Sequence, residues 1–383
     1  MHRCFHEYMT SPSPPVDSLL LFLHQKDVWI NSIFPFLGMG HFAFVGLANK
    51  KLSNLYREFC DSVESPPRVY DDESEDQRLA TSRDTFYRVA FSNVPSAEFW
   101  ERDTSSGKTP NPGQLCTKIV ENGSLPTLQW SHKKGYPWDD NTAWTAANNG
   151  HLEILKWART NGCPWDEETC TSAAHMGHRD ILKWAHENGC PWDVWTCYFA
   201  ALNGDLETLK WAHKNGCPWD EKTCAAAAQH GHMDVLKWAR ENNCPWDIAT
   251  CCSAAGNGQL KTLKWSHENG CPWDASTCME AAGGGHLETL EWARENGCPW
   301  DARTCTEAAR NGELKTLKWA HQNGCPWDAS TCMEAAGGGH LETLEWAREN
   351  GCPWDARTCR KAARNGQLKT LQWARENGCP EEE

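Results

Sequence analysis

An all-α stack of short helical repeats follows from three features of the sequence. A tripeptide recurs at a fixed interval, an alanine pair and a glycine follow it at fixed offsets, and Trp and Cys are far more abundant than usual. Cys-Pro-Trp begins at residues 163, 190, 217, 244, 271, 298, 325 and 352, preceded by Tyr136-Pro137-Trp138 and followed by Cys379-Pro380, all at a spacing of 27 residues. A self-similar period of about 20 to 50 residues marks an architecture in which each unit packs only on its neighbours. The 23 Trp and 21 Cys among 383 residues are the imprint of that repetition.

Within one repeat the elements fall in order. In the frame that starts at Thr169, the threonine is expected to cap helix A, and Gly177 to supply the left-handed turn that ends it after about two turns. Residues 178–187 then place Ile181, Leu182, Trp184 and Ala185 near a helical period, which predicts helix B, with Asn188-Gly189 as its stop. Pro191 cannot continue a helix, so Cys-Pro-Trp-Asp is a connector to the next repeat. Helices this short are marginal alone, because nucleation costs more than a few hydrogen bonds return, and must be held by neighbouring repeats. Alanine pairs such as Ala173-Ala174 and Ala227-Ala228 let helices approach closely, and the series Trp157, Trp184, Trp211, Trp238, Trp265, Trp292, Trp319 and Trp346 is expected to fill a layered core.

The same frame fits units beginning at Thr142, Thr169, Thr196, Thr223, Thr250, Thr277, Thr304, Thr331 and Thr358, with a less regular one at Leu115. Residues 115–380 thus form an array of ten units. Residues 269–305 recur unchanged at 323–359, a duplication of a repeat pair that only a modular stack tolerates. Upstream, residues 85–103 keep the spacing without the sequence and are expected to cap the array. Residues 62–80 read as an acidic linker, and residues 17–61 as a small helical segment.

Several functional classes are disfavoured. Asp and Glu outnumber Lys and Arg 51 to 37, and the formal charge of −14 gives no basic footprint for nucleic acid. The stretch 28–49 is apolar over about the length a bilayer needs, but Asn31, Pro35, Gly38, Gly40 and His41 interrupt it, so no membrane span is expected. The N-terminus lacks the order of a secretory signal, so the thiols are read as reduced and the protein as intracellular, in the cytoplasm or nucleus. Cysteines seven apart, as in Cys163 and Cys170, do not match the close spacing of zinc pairs and are read as small buried hydrophobes. His151, His178, His232, His286 and His340 open helix B without a fixed nucleophile partner, a structural pattern. No catalytic residue, metal site or cofactor is expected.

The positions that vary while the frame stays constant are the two before Thr, the two after Cys and the two after the alanine pair. One unit stands apart there: Val194, Trp195, Tyr198 and Phe199 replace the small and charged residues of its neighbours. With Trp144, Met176 and His230 at comparable variable positions, these residues form a candidate aromatic hot spot for a protein partner.

The run Ala-Ala-x-x-Gly-His-Leu-Glu-x-Leu-x-Trp-Ala-x-x-Asn-Gly, at residues 146–162 and 281–297, resembles the two-helix part of the ankyrin repeat. The resemblance implies a non-enzymatic scaffold that recognises proteins. The usual ankyrin repeat is about 33 residues long, and here the hairpin finger between units is reduced to a short connector. Residues 27–37 and 48–56, from Asp27-Val28-Trp29 to Asn54-Leu55-Tyr56, resemble a divergent F-box that lacks the leading Leu-Pro pair and has Leu52 where Trp is common. That resemblance implies a substrate adaptor whose N-terminal helices dock on the adaptor subunit of a cullin-type ubiquitin ligase. The alternative is a spacer array without a specific ligand.

Overall fold

The computed structural model describes residues 114–139 and 141–380. The F-box-like segment 17–61, the linker 62–80, the capping repeat 85–103 and the apolar stretch 28–49 lie outside the described residues. Among the described residues there are twenty α-helices and no strand. The chain divides into two compact units, Met1–Trp165 and Asp166–Glu383.

In the first unit, α1 (Leu115–Glu121) pairs with α2 (Leu125–Lys133), and α3 (Thr142–Asn148) with α4 (Leu152–Thr160); α1 also packs on α3. The second unit holds eight pairs: α5 (Glu167–His175) with α6 (Arg179–Glu187), α7 (Val194–Leu202) with α8 (Leu206–Lys214), α9 (Glu221–Gln229) with α10 (Met233–Glu241), and α11 (Ile248–Gly256) with α12 (Leu260–Glu268). They continue as α13 (Ala275–Gly283) with α14 (Leu287–Glu295), α15 (Ala302–Arg310) with α16 (Leu314–Gln322), α17 (Ala329–Gly338) with α18 (Leu341–Glu349), and α19 (Ala356–Arg364) with α20 (Leu368–Glu376).

Within this second unit each A helix lies along the next A helix, whereas successive B helices touch only sparingly. Side-chain size explains the asymmetry. The facing A surfaces carry fully buried pairs such as Ala200-Ala201, Ala254-Ala255 and Ala281-Ala282, with Leu209, Leu236, Leu263, Leu290 and Leu317 reaching in from the B helices. Burying each Leu is worth about 1.5 to 3 kcal/mol.

Helix A begins earlier than the threonine frame predicts. Asp193, in extended conformation, caps α7 by accepting the Trp195 N–H at 3.0 Å, and Asp220 caps α9 by accepting the Lys222 N–H at 3.0 Å. Thr196 and Thr223 are the third helical residues, buried, and their hydroxyls have no hydrogen-bond partner. The carboxylate is the stronger acceptor for the exposed N–H groups at the positive helix end, and the threonine, one turn in, faces the core.

The other end of each helix follows the sequence reading. Gly177 and Gly204 adopt φ +73° and +69° after helix A. At the end of helix B the Asn188 amide donates to Trp184 O at 2.8 Å and Gly189 turns left-handed, so the Cys190 N–H reaches Ala185 O at 3.0 Å. Asn243 holds the glycine place in one repeat, with φ 65°, as Asn tolerates the left-handed region.

The tryptophan series packs beside the core instead of within it: Trp211, Trp238, Trp265, Trp292, Trp319 and Trp346 are half-buried. Each meets the Trp of the connector that precedes its helix pair, edge-on as in Trp192–Trp211 at 5.6 Å and 74° or tilted as in Trp273–Trp292 at 5.8 Å and 59°. The last turn of the preceding B helix covers that connector Trp with a ring or a cation. His186 stacks on Trp192 at 3.5 Å, and the Arg240 guanidinium lies 4.1 Å over Trp246. An indole is too large for the alanine-lined contact between A helices, so the Trp side chains fill the looser B side.

The cysteines pair differently from the seven-residue spacing. The connector thiol of each repeat in the second unit donates to the carbonyl of that repeat's capping Asp, from Cys190 to Asp166 at 3.2 Å through Cys379 to Asp355 at 3.6 Å. It also contacts the helix A thiol 20 residues earlier, as Cys190 does Cys170. All the described cysteines are free, and all but Cys252 are buried.

Candidate interaction surface on the helix A row

The aromatic repeat places three of its predicted residues in one cluster on α7. Asp193 fixes the helix start, so Trp195 is its second residue and Phe199 lies one turn on, on the same face. Trp195 and Tyr198 meet edge-on at 5.1 Å, Tyr198 and Phe199 edge-on at 5.1 Å, and Trp195 and Phe199 are tilted at 6.3 Å. Tyr198 is half-buried against the core and anchors the group. Trp195 remains 39% exposed.

Two residues that the sequence reading did not select complete the cluster. The His175 ring of α5 stacks on Phe199 at 4.3 Å, and the Lys222 ammonium of α9 stands 4.7 Å from the Trp195 ring centre. The signal lay in the spacing. The second residue after the helix A Cys reaches back 24 positions to the preceding repeat, in Phe199–His175 as in Glu334–Arg310. Asn203 reinforces this junction by donating to Ala174 O at 3.0 Å and His175 O at 2.7 Å.

The remaining predicted residues are placed apart from these rings. Val194 is half-buried at the first position of α7. Met176 is 48% exposed at the end of α5. His230, exposed at the end of α9, has its ring 6.1 Å from His232. Trp144 belongs to α3 of the first unit and is half-buried. Of the four large apolar side chains exposed among the described residues, Met176, Trp195 and Ile248 lie on or at the ends of A helices, and Leu368 begins the last B helix.

Neither of two other features assembles chemistry. A shallow depression is lined by Gly177, Arg179, Asp180, Lys183 and Asp205, but Arg179 is tied to Asp205 at 2.5 Å and to Thr208 Oγ1 at 2.9 Å. Among the described residues no group of three or more His, Cys, Asp or Glu side chains is disposed to hold a metal ion. No described helix is long and apolar enough to cross a membrane.

The second unit is thus a stack of helix–turn–helix repeats with an aromatic cluster on its closely spaced row. Residues 170–213, which contain Trp195, Tyr198, Phe199 and His175, match the family described as ankyrin repeats (many copies). No curated protein matches the chain. Among solved structures, the human ASB11 ankyrin repeat domain is 18% identical, with 41% of this chain and 84% of that one covered and a TM-score of 0.35. The pentatricopeptide repeat protein PPR10, solved in complex with an 18-nt psaJ RNA element, is 13% identical, with 95% of this chain and 66% of that one covered and a TM-score of 0.41. At those scores neither likeness says what this chain binds.

Proposed function

We propose that the protein is a non-enzymatic scaffold that recognises another protein through the helix A row, with Trp195, Tyr198 and Phe199 as the anchoring contacts. The observation that carries this reading is the exposure of a preassembled aromatic cluster at a point where neighbouring repeats carry small or charged residues. Rigid aromatic side chains contribute large contact area at little entropic cost, which is why hot spots are rich in them. Met176 extends the apolar surface at the end of α5, Val194 and His230 are its proposed flanking contacts, and Trp144 of the first unit is a separate proposed partner contact.

The test is affinity capture from the source cells with the full chain and with the full chain carrying Trp195→Ala, Tyr198→Ala and Phe199→Ala. Loss of a specific partner with unchanged helicity supports recognition at this row. Equal recovery of a specific partner by both chains moves recognition off this row, and no specific partner from either chain favours the spacer reading.

The F-box-like segment extends the proposal to a substrate adaptor of a cullin-type ubiquitin ligase, with the repeats choosing the target. Ligase adaptor subunits recovered by the full chain and lost on replacing Ile33 and Leu37 with Asp would support it. Their absence from both captures would leave a plain binding scaffold.

A further inference from the structure

The chemistry of the partner is written around Trp195, given the proposed role of the helix A row in protein recognition. At the second position of three successive A helices the chain carries Glu168, Trp195 and Lys222. The Lys222 ammonium lies over the indole at 4.7 Å, so this ring already draws a cation to it within the free chain. Other Trp–cation contacts in the second unit belong to the B side, over a connector Trp as with Arg240 and Trp246 or over a helix B Trp as with Lys183 and Trp211. Trp195 is different because its ring is exposed on the A row.

The charge around the indole points the same way. Residues 166–221 carry ten carboxylates against four Lys and Arg. Asp166, Asp193 and Asp220 are engaged as helix caps and Asp205 with Arg179, but the side-chain carboxylates of Glu167 and Glu168 are exposed and make no hydrogen bond or ion pair with any described residue. An acidic partner segment would meet these charges unpaired, whereas a basic one would be steered to the row and find an aromatic face there. Next to that face, the stacked rings of Phe199 and His175 offer apolar surface for an aliphatic side chain.

We propose that this face binds a protein segment carrying an arginine or lysine within about one helical turn of a branched aliphatic residue. The cation replaces Lys222 over Trp195 in the field of Glu167 and Glu168, and the aliphatic side chain lies against Phe199 and His175. Lys222 is then an internal competitor that keeps the indole covered in the free chain.

The experiment pans a random-sequence peptide display library on the full chain, then measures affinities of the enriched synthetic peptides for four proteins of equal helicity: the unaltered chain, Trp195→Ala, the double variant Glu167→Lys with Glu168→Lys, and Lys222→Met. The expected peptides pair a basic with a branched aliphatic residue. They lose binding to Trp195→Ala, bind the charge-reversed protein about tenfold more weakly at low salt, and bind Lys222→Met about two- to fivefold more tightly. Peptides that need Trp195 but lack a basic residue, or that ignore the charge reversal, overturn this inference and leave protein recognition standing. Weaker binding to Lys222→Met overturns the competitor role. If no enriched peptide depends on Trp195, both the inference and the recognition surface fall.

Discussion

Glu334 Oε2 lies 3.0 Å from Arg310 Nε, and the Lys361 ammonium lies 2.5 Å from the other carboxylate oxygen. Glu280 occupies the same place in the identical stretch two repeats earlier, yet the neighbour that acts on its charge is Glu307. One local sequence therefore yields two electrostatic outcomes. Burial raises the Glu280 carboxyl and Glu307 adds to the rise. For Glu334 burial acts in the same direction, but the hydrogen bonds from Arg310 and Lys361 outweigh it and hold the carboxyl below the usual range.

These opposite shifts give substitutions of opposite sign. A carboxyl raised in the folded chain contributes stability at acid pH that is lost as pH rises through its folded value. Glu280→Gln should therefore raise the melting temperature at neutral pH and change little at acid pH. A carboxyl lowered in the folded chain contributes stability above its unfolded value that is lost as pH falls through the folded one. Glu334→Gln should therefore lower the melting temperature by a few degrees at neutral pH, with the deficit vanishing in acid. Thermal melts of both variants from acid to neutral pH check this; shifts of the same sign at neutral pH would contradict the assigned surroundings.

Thr223 and Asp220 separate a buried hydroxyl from a working cap. The Thr223 hydroxyl is buried without a partner, so the isosteric Thr223→Val should be neutral or stabilise by up to about 1 kcal/mol. Asp220 accepts the Lys222 N–H at 3.0 Å, and Asp220→Ala should cost about 1 kcal/mol. Urea unfolding of the two full-length variants ranks them. A greater loss from the valine would return the capping role to the threonine.

The repeat, its helix pair and its glycine stops were legible because each is a local property: a 27-residue period, a proline, a left-handed glycine such as Gly177. The aromatic repeat was legible as a departure from that period. The cap was misplaced because Thr169 and Asp166 are both capping residue types, and only the extended backbone at Asp166 decides between them. The tryptophans were placed in the core on size and hydrophobicity alone, but the space between A helices takes only small side chains, a fact set by packing between repeats. His175 and Lys222 were missed for the same reason, since their contacts with Phe199 and Trp195 cross from one repeat to the next.

Gly204 should be less replaceable than Gly216, although both have positive φ, +69° and +82°. An alanine at either place carries the left-handed penalty of about 1 to 2 kcal/mol. At Gly204 a β-carbon would also stand 2.6 Å from Nδ1 of His232, whose other ring nitrogen lies 3.1 Å from Leu202 O; at Gly216 nothing lies within 4 Å. Gly204→Ala should thus destabilise more, and His232→Ala should recover the excess in the double variant. A double-mutant cycle by urea unfolding measures that coupling. Equal costs at the two glycines would remove the histidine from the argument.

Cys252 provides a test of how tightly the thiols are sealed. It is the half-buried cysteine among the described residues, and its thiol lies 3.7 Å from Thr277 Oγ1. Burial foremost pushes its pKa up to about 11, so little thiolate is present at neutral pH. Alkylation of the native chain, mapped by mass spectrometry, should mark Cys252 ahead of the other described cysteines, with a rate still rising through about pH 10 as the thiolate fraction grows. The connector thiols, such as Cys217 donating to Asp193 O at 3.4 Å, should react only as their repeats open. If Cys217 or Cys244 reacted first, the connector would be loosely seated, and its thiol could not be what ties each repeat to the start of its own helix A.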